Sequence, residues 1–331
     1  MTDALFLTSD EVDDLAEPAD YVAAVRDGYR EIGEGAPAEP RTKLANDDPP
    51  GMLTTYAAVL PETGAMGGYT YAAGFGAGDA WFMTPVFDAD SGEPLAVVDG
   101  ASMNPFKTGA AGAVAVDALA REDATEVAVI GSGAQARGQL RTTATVRRVE
   151  AVRVFSPTPD HRESFAAEFD GRLDADVRAV ASASEAVAGA DVVITATTAS
   201  DPVIDDADVE PGTHVTAMGQ YDSDKNELPP ALVGRATYVP DLAARAPQDA
   251  GSFIAAREAG LVDDPVAVEL GDVVAGTHPG RTSAEEVTVF DSGGTGIETV
   301  AAAHMLYERA SEAGRGTTIA FAPASEALTG R

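Results

Sequence analysis

Val127-Ala128-Val129-Ile130-Gly131-Ser132-Gly133-Ala134-Gln135-Ala136 is the stretch that decides the fold. Four apolar residues lead into the spacing Gly-x-Gly-x-x-Ala. The run reads as a buried strand, a tight turn at Gly131 and a helix opening near Ala134. Gly131 permits the turn, Gly133 lets a pyrophosphate approach the backbone, and Ala136 lets the helix pack close to the strand. The helix directs unbonded N–H groups and its positive end at the phosphates. Gly131, Gly133, Ala134 and Gln135 are therefore the expected cofactor-binding residues. Alone the motif is weak, and a glycine turn in an unrelated α/β protein is the competing reading. Its context supports the nucleotide, because a second strand, Val152 to Phe155, follows the helix.

The end of that second strand reads the adenosine ribose. NAD-selective sites place Asp or Glu there. Here the chain runs Phe155-Ser156-Pro157-Thr158-Pro159-Asp160-His161-Arg162. Ser156 lacks the carboxylate that would hold two ribose hydroxyls and repel a 2′-phosphate. Ser156, Thr158 and Arg162 suit that phosphate, which favours NADP, with NAD as the alternative. Arg162 also reads as an ordinary helix-surface charge.

Outward from the motif, strands and helices alternate. Strands are expected at 127–130, 152–155, 177–179, 192–196 and 214–218, and helices at 135–146, 161–169 and 184–188. Such alternation predicts a mostly parallel sheet of Rossmann type. A helix over 108–120 precedes it. Earlier, a helix spans 8–35, with Pro18 in a first-turn position and Gly33 and Gly35 at its end. An antiparallel meander follows, with strands at 52–60, 67–75, 81–87 and 94–98. A late helix (298–313) and a last strand (317–321) rejoin this first region. The fold class is thus α/β, a central Rossmann domain (114–300) plus an α+β substrate and dimerisation domain built from both chain ends (1–113 and 301–331).

Six segments together carry a family resemblance: Leu95–Gly100 (Leu-Ala-Val-Val-Asp-Gly), Lys107–Ala111 (Lys-Thr-Gly-Ala-Ala), Val129–Gln135, Ala186–Ile194, Pro211–His214 and Val289–Ser292. They resemble the ornithine cyclodeaminase/mu-crystallin family over nearly the whole chain. The resemblance implies hydride transfer between a nicotinamide and a carbon bonded to nitrogen, in a homodimer acting on a small amino or imino acid. Arg41, in Glu39-Pro-Arg-Thr-Lys43, matches the family's carboxylate-binding arginine, a task suited to a bidentate guanidinium. The family's Arg-Thr-Ala-Ala is here Lys107-Thr108-Gly109-Ala110. Lys107 keeps the charge without the planar fork, so it can grip a carboxylate or shuttle a proton; otherwise it is a solvated lysine at a helix start. A family lysine falls on Thr70, which could hold a water in its place. The aspartate base of cyclodeaminases falls on Tyr221, with Asp222 one residue later. Lys225 and Glu227 sit on matching columns and read equally well as an exposed loop ion pair. Thr299 stands where the family often has Asp. Thr195, Thr197 and Ser292 are expected to line the nicotinamide end, or else to cap strand ends.

The resulting expectation is an NAD(P)-dependent oxidoreductase of the alanine dehydrogenase or ketimine reductase kind. The alternatives are an ornithine cyclodeaminase, and an NADP(H)-binding mu-crystallin-like protein with little turnover. The four histidines form no pair at ligand spacing, so no metal is expected.

Charge bounds the partners. Lys plus Arg total 22 against 54 Asp plus Glu, for a net charge of −32. So negative a chain repels nucleic acid and anionic membranes. There are no cysteines, which excludes disulfides and thiol nucleophiles. No apolar run reaches the ~18 residues of a membrane span, and Met1-Thr2-Asp3-Ala4 lacks a signal-like start, so a cytoplasmic protein is expected. The acidic residues are spread along the chain, and the only lysines are 43, 107 and 225. That pattern suits a salty cytosol. The thermal midpoint should therefore rise as KCl goes from ~0.1 M to ~1 M, while the screening length falls from ~10 Å to ~3 Å. A midpoint indifferent to salt would refute the halophilic reading.

Overall fold

The computed structural model describes residues 2–76, 79–219, 222–263 and 265–329. The chain divides into two compact units, Met1–Lys107 with Thr295–Arg331, and Thr108–Gly294. The boundaries expected from sequence, after 113 and after 300, lie beyond these. The first unit opens with β1 (Thr2–Leu7), α1 (Ser9–Val12), α2 (Pro18–Gly33), β2 (Thr42–Asp47), β3 (Pro50–Leu60), β4 (Ala65–Gly74), β5 (Trp81–Asp88) and β6 (Pro94–Asp99). Helix α3 (Asn104–Leu119) runs from the first unit into the second. The second unit holds β7 (Glu126–Ile130), α4 (Ala134–Val146), β8 (Ala151–Phe155), α5 (Pro159–Asp170), β9 (Asp176–Ala179), α6 (Ala183–Val187), β10 (Val192–Thr195) and β11 (His214–Ala217). It continues through α7 (Pro230–Arg235), β12 (Thr237–Pro240), α8 (Ala246–Asp249), α9 (Gly251–Glu258), α10 (Leu270–Val274) and β13 (Thr288–Asp291). Then α11 (Gly296–Ala313), β14 (Thr317–Phe321) and α12 (Ala324–Thr329) belong again to the first unit.

In the first unit the strands order as β14-β1-β6-β5-β4-β3-β2. The expected meander is β3 to β6, and β14 returns to pair antiparallel with β1. Along β3, Thr54, Tyr56, Ala58 and Leu60 are buried while Leu53, Thr55 and Ala57 are exposed. This period of two places one face under helices α2 and α11. Gly296 opens α11 because a Cβ there would lie 2.3 Å from the Ala57 carbonyl carbon. The single helix expected over 8–35 is in fact two. Residue Glu17, before Pro18, is extended (φ −87°, ψ 161°), as the proline ring requires of its predecessor. Thr8 with Glu11, and Glu17 with Asp20, then form separate capping boxes.

The second unit's sheet is entirely parallel, ordered β12-β13-β11-β10-β7-β8-β9. Both of its faces are buried. Val127 and Val129 enter a core with Leu140, Val152, Val154 and Phe165. Ala128 and Ile130 enter another with Val193, Val215 and Phe253. This explains why its strands read as unbroken apolar runs. The strand order reverses between β7 and β10, where such sheets bind ligands at the carboxyl ends. Among the described residues no helix is long and apolar enough to cross a membrane.

His214 opens β11 in full burial, its Nδ1 2.9 Å from Thr288 Oγ1 and its Nε2 3.0 Å from Thr216 Oγ1. Burial first, then Arg281 and Arg147, depress its pKa from 6.5 to about 3. The unfolded chain takes up a proton near pH 6.5 that the folded chain refuses. The contribution to stability is thus complete above that pH and is lost as pH falls toward 3. The slope is about 1.4 kcal/mol per pH unit. Denaturant titrations across this window should show a steeper loss for the wild type than for His214→Gln. Parallel curves would contradict this account.

Candidate functional site

The turn after β7 leaves its backbone open. Gly131 has φ +120°, and a Cβ on it would lie 2.3 Å from the Ala196 carbonyl oxygen. Both facts require glycine. A Cβ on Gly133 would meet nothing within 4 Å. Gly133 and Ala134 are exposed, and no side chain caps α4. The buried Oε1 of Gln135 has no partner among the described residues. An open backbone at an uncapped helix start fits a diphosphate. Arg137 braces the turn by donating to the Ser132 carbonyl and to Glu168 (2.7 Å).

Ser156 follows β8 in a buried position and accepts from Ser132 Oγ at 3.0 Å. Arg162 donates to the Ser156 carbonyl at 2.9 Å and lies over the Phe155 ring. Thr158 is exposed at the N-cap of α5. The structure thus gathers Gly131, Gly133, Ala134, Gln135, Ser156, Thr158 and Arg162 at the carboxyl ends of β7 and β8.

Three other expected cofactor residues are differently disposed. Thr195 is fully buried and donates to Glu227 Oε2 at 2.9 Å. Thr197 gives its N–H (2.7 Å) and hydroxyl (2.6 Å) to Glu227 Oε1. Gly219 N–H reaches Oε2 at 2.8 Å. Glu227 is itself fully buried, so it is no exposed loop ion pair. Ser292 is buried too, its hydroxyl 3.3 Å from Asp241 Oδ2, which also accepts the N–H groups of Gly293 and Gly294. Asp241 is held by Arg245, which also binds Asp249 and Asp291. Burial pushes Asp291 up to about 6, against the pull of Arg245. The hydroxyls of Thr195, Thr197 and Ser292 therefore tie loops to buried carboxylates. Asp222 accepts its own neighbour's N–H, from Asp224, at 3.2 Å in a local turn. Tyr221 lies outside the described residues.

The first unit assembles a second cluster. Lys107 and Glu298 are each 1 % exposed, with Nζ 3.5 Å from Oε1. Lys107 is accordingly not a solvated lysine. Glu298 also accepts the Thr295 N–H (2.7 Å) and hydroxyl (2.5 Å) at the start of α11. Lys107 Nζ sits 4.8 Å above the centroid of Tyr69. Tyr69 and Tyr56 have centroids 5.5 Å apart, and the Arg41 guanidinium lies 5.5 Å over Tyr56. Two aromatic faces therefore link Arg41 to Lys107 through cation–π contacts. Burial, reinforced by Glu298, raises Tyr56 well above the usual phenol range; burial and then Tyr71 raise Tyr69. Thr70 points to the opposite face of β4, 3.2 Å from Thr55 Oγ1. Thr70 thus lies on the face of β4 opposite Tyr69, which carries the contact to Lys107. Tyr69 occupies the facing position and was missed in the sequence because an apolar aromatic in a strand reads as core. Thr299 closes its own helix turn on the Thr295 carbonyl at 2.9 Å.

Breaking the buried pair should be costly. Lys107→Met should lose about 3 kcal/mol in urea unfolding, because Glu298 is left buried without its cation. Adding Glu298→Gln should restore part of the loss. Strictly additive costs would show that the two residues do not interact.

Residues 3–314 match the family model described as the ornithine cyclodeaminase/mu-crystallin family. A delta(1)-pyrroline-2-carboxylate reductase of Bacillus cereus is 33 % identical over 236 residues, 71 % of this chain and 72 % of that one. The Thermococcus litoralis delta(1)-pyrroline-2-carboxylate reductase, solved with NADH and L-proline, superposes with a TM-score of 0.89 at 30 % identity, covering 95 % of this chain and 100 % of that one. An archaeal alanine dehydrogenase dimer with bound NAD gives 0.89 at 29 %, covering 97 % and 100 %. The chain belongs to the ornithine cyclodeaminase/mu-crystallin family, as one of its oxidoreductases.

Proposed function

We propose that this chain moves hydride between a nicotinamide and the carbon of a C–N bond in a small amino or imino acid. The observation that carries the reading is the exposed backbone of Gly133 at the uncapped start of α4. A nicotinamide dinucleotide held at the backbone of Gly131, Gly133 and Ala134 would supply hydride for the imine carbon, and a proton must reach the nitrogen. Arg41 holds the substrate carboxylate through paired N–H donors. Lys107, paired with Glu298, supplies the proton. The cofactor is a nicotinamide dinucleotide, and we favour the 2′-phosphorylated form. Ser156 brings no repelling carboxylate, and Arg162 is fixed at the same strand end. Asp222, engaged in its own turn, argues against a cyclodeaminase base.

The active form is a homodimer through the outer face of the first unit's sheet. That face exposes Trp81 (73 %), Leu44, Leu53 and Met83. An apolar surface of this kind marks an interface.

The test is to follow oxidation of NADPH and NADH in molar KCl with pyruvate plus ammonia or methylamine, and with cyclic imino acids. Turnover of one class is expected. Saturable nucleotide binding with no turnover of any would instead favour a binding protein. Arg41→Ala should raise KM for the carboxylate substrate about 100-fold and leave nucleotide affinity unchanged. Equal loss of both would refute its role.

A further inference from the structure

We infer that Glu227 is a positioning residue, setting the floor on which the nicotinamide half of the dinucleotide rests. The inference depends on the cofactor reading above. Glu227 is fully buried, and among the described residues its partners are all neutral donors. A buried carboxylate is costly unless its lone pairs are filled. Here four donors fill them: the Thr195 hydroxyl, the Thr197 hydroxyl and N–H, and the Gly219 N–H.

Those donors come from the end of β10 with the loop that follows it, and from the loop after β11. Glu227 therefore locks both loops at the sheet's carboxyl edge. Its grip on Thr195 and Thr197 brackets Ala196. The Ala196 carbonyl is the atom a Cβ on Gly131 would strike, so this loop lies directly against the dinucleotide turn. Gly219 is required by the same clamp, because a Cβ on it would lie 2.6 Å from the Glu227 carboxyl carbon. The loops after β10 and β11 lie on the side of the switch point away from β8, where Ser156 and Arg162 stand. The adenosine end belongs to the β8 side, which leaves the nicotinamide end to the side that Glu227 organises.

The variants Glu227→Gln and Thr197→Val separate this role from a general structural one. Gln keeps the shape but replaces two acceptor lone-pair sites with donors that face the Thr197 or Gly219 N–H. Dissociation constants are measured for NADPH and NADH, and for 2′-phospho-ADP-ribose and ADP-ribose, which lack the nicotinamide. The dinucleotide the wild type prefers should bind about tenfold more weakly to Glu227→Gln. The matching ADP-ribose compound should bind as before, and Thr197→Val should show a smaller shift of the same pattern. Equal weakening of both ligands, or of neither, overturns the inference. Should Glu227→Gln fail to fold, Thr197→Val decides by the same split. A wild type that binds neither ligand would defeat the cofactor reading itself, a result distinct from failure of the clamp.

Discussion

The backbone of Gly131 passes so close to the Ala196 carbonyl that no side chain fits between them. The rest of the nucleotide-binding unit depends on this approach. It brings the turn after β7 against the loop after β10, the two strands at which the sheet's order reverses. An alanine at 131 would clash with that carbonyl and also strain a positive φ. With glycine there, α4 starts close behind β7, and Ala136 and Leu140 pack into the same core as Val127 and Val129.

Buried carboxylates then hold the loops that the sheet leaves unsupported. Glu227 serves the loops after β10 and β11, and Asp241 serves the one after β13. In the first unit Glu31 accepts the N–H groups of Glu62 and Thr63 in the turn between β3 and β4. A strand end exposes several N–H groups at once, and one carboxylate can accept from up to four donors. Asp241 has Arg245 as a counter-charge, whereas Glu227 relies on neutral donors. The acidity that dominates the composition is thus of two kinds. Most of it is exposed, and a few internal carboxylates bind backbone.

The sequence made the parallel unit legible because burial on both faces leaves continuous apolar runs such as Val127–Ile130 and Val192–Ile194. Strand β14 was equally clear from Thr317–Phe321. Strand β2 was not, since all six of its residues are exposed and carry no alternation. Strand β1 takes its place only from β6 and β14, far away in sequence. Strands β12 and β13 lie among short helices whose turns mask their period. At the candidate site, the turn at Gly131 and the place of Ser156 after β8 were readable because local backbone sets them. The roles of Thr195, Thr197 and Ser292 were not, because Glu227 and Asp241 reach them from distant positions. Burial of Glu227 has no local signature in Lys225-Asn226-Glu227.

The cluster around Lys107 turns on which face of β4 a residue occupies. A resemblance that aligns a lysine with Thr70 suggests a lost charge, yet Thr70 faces Thr55 and not Lys107. The residue that faces inward is Tyr69. A second ammonium at that place would repel Lys107, whose Nζ lies 4.8 Å from the Tyr69 ring centroid. An aromatic face attracts Lys107 instead, and with Glu298 it fixes Nζ from two directions. Tyr56 repeats the contact for Arg41. Two phenols, their rings tilted against each other and kept neutral by burial, thus carry two cations without adding charge of their own.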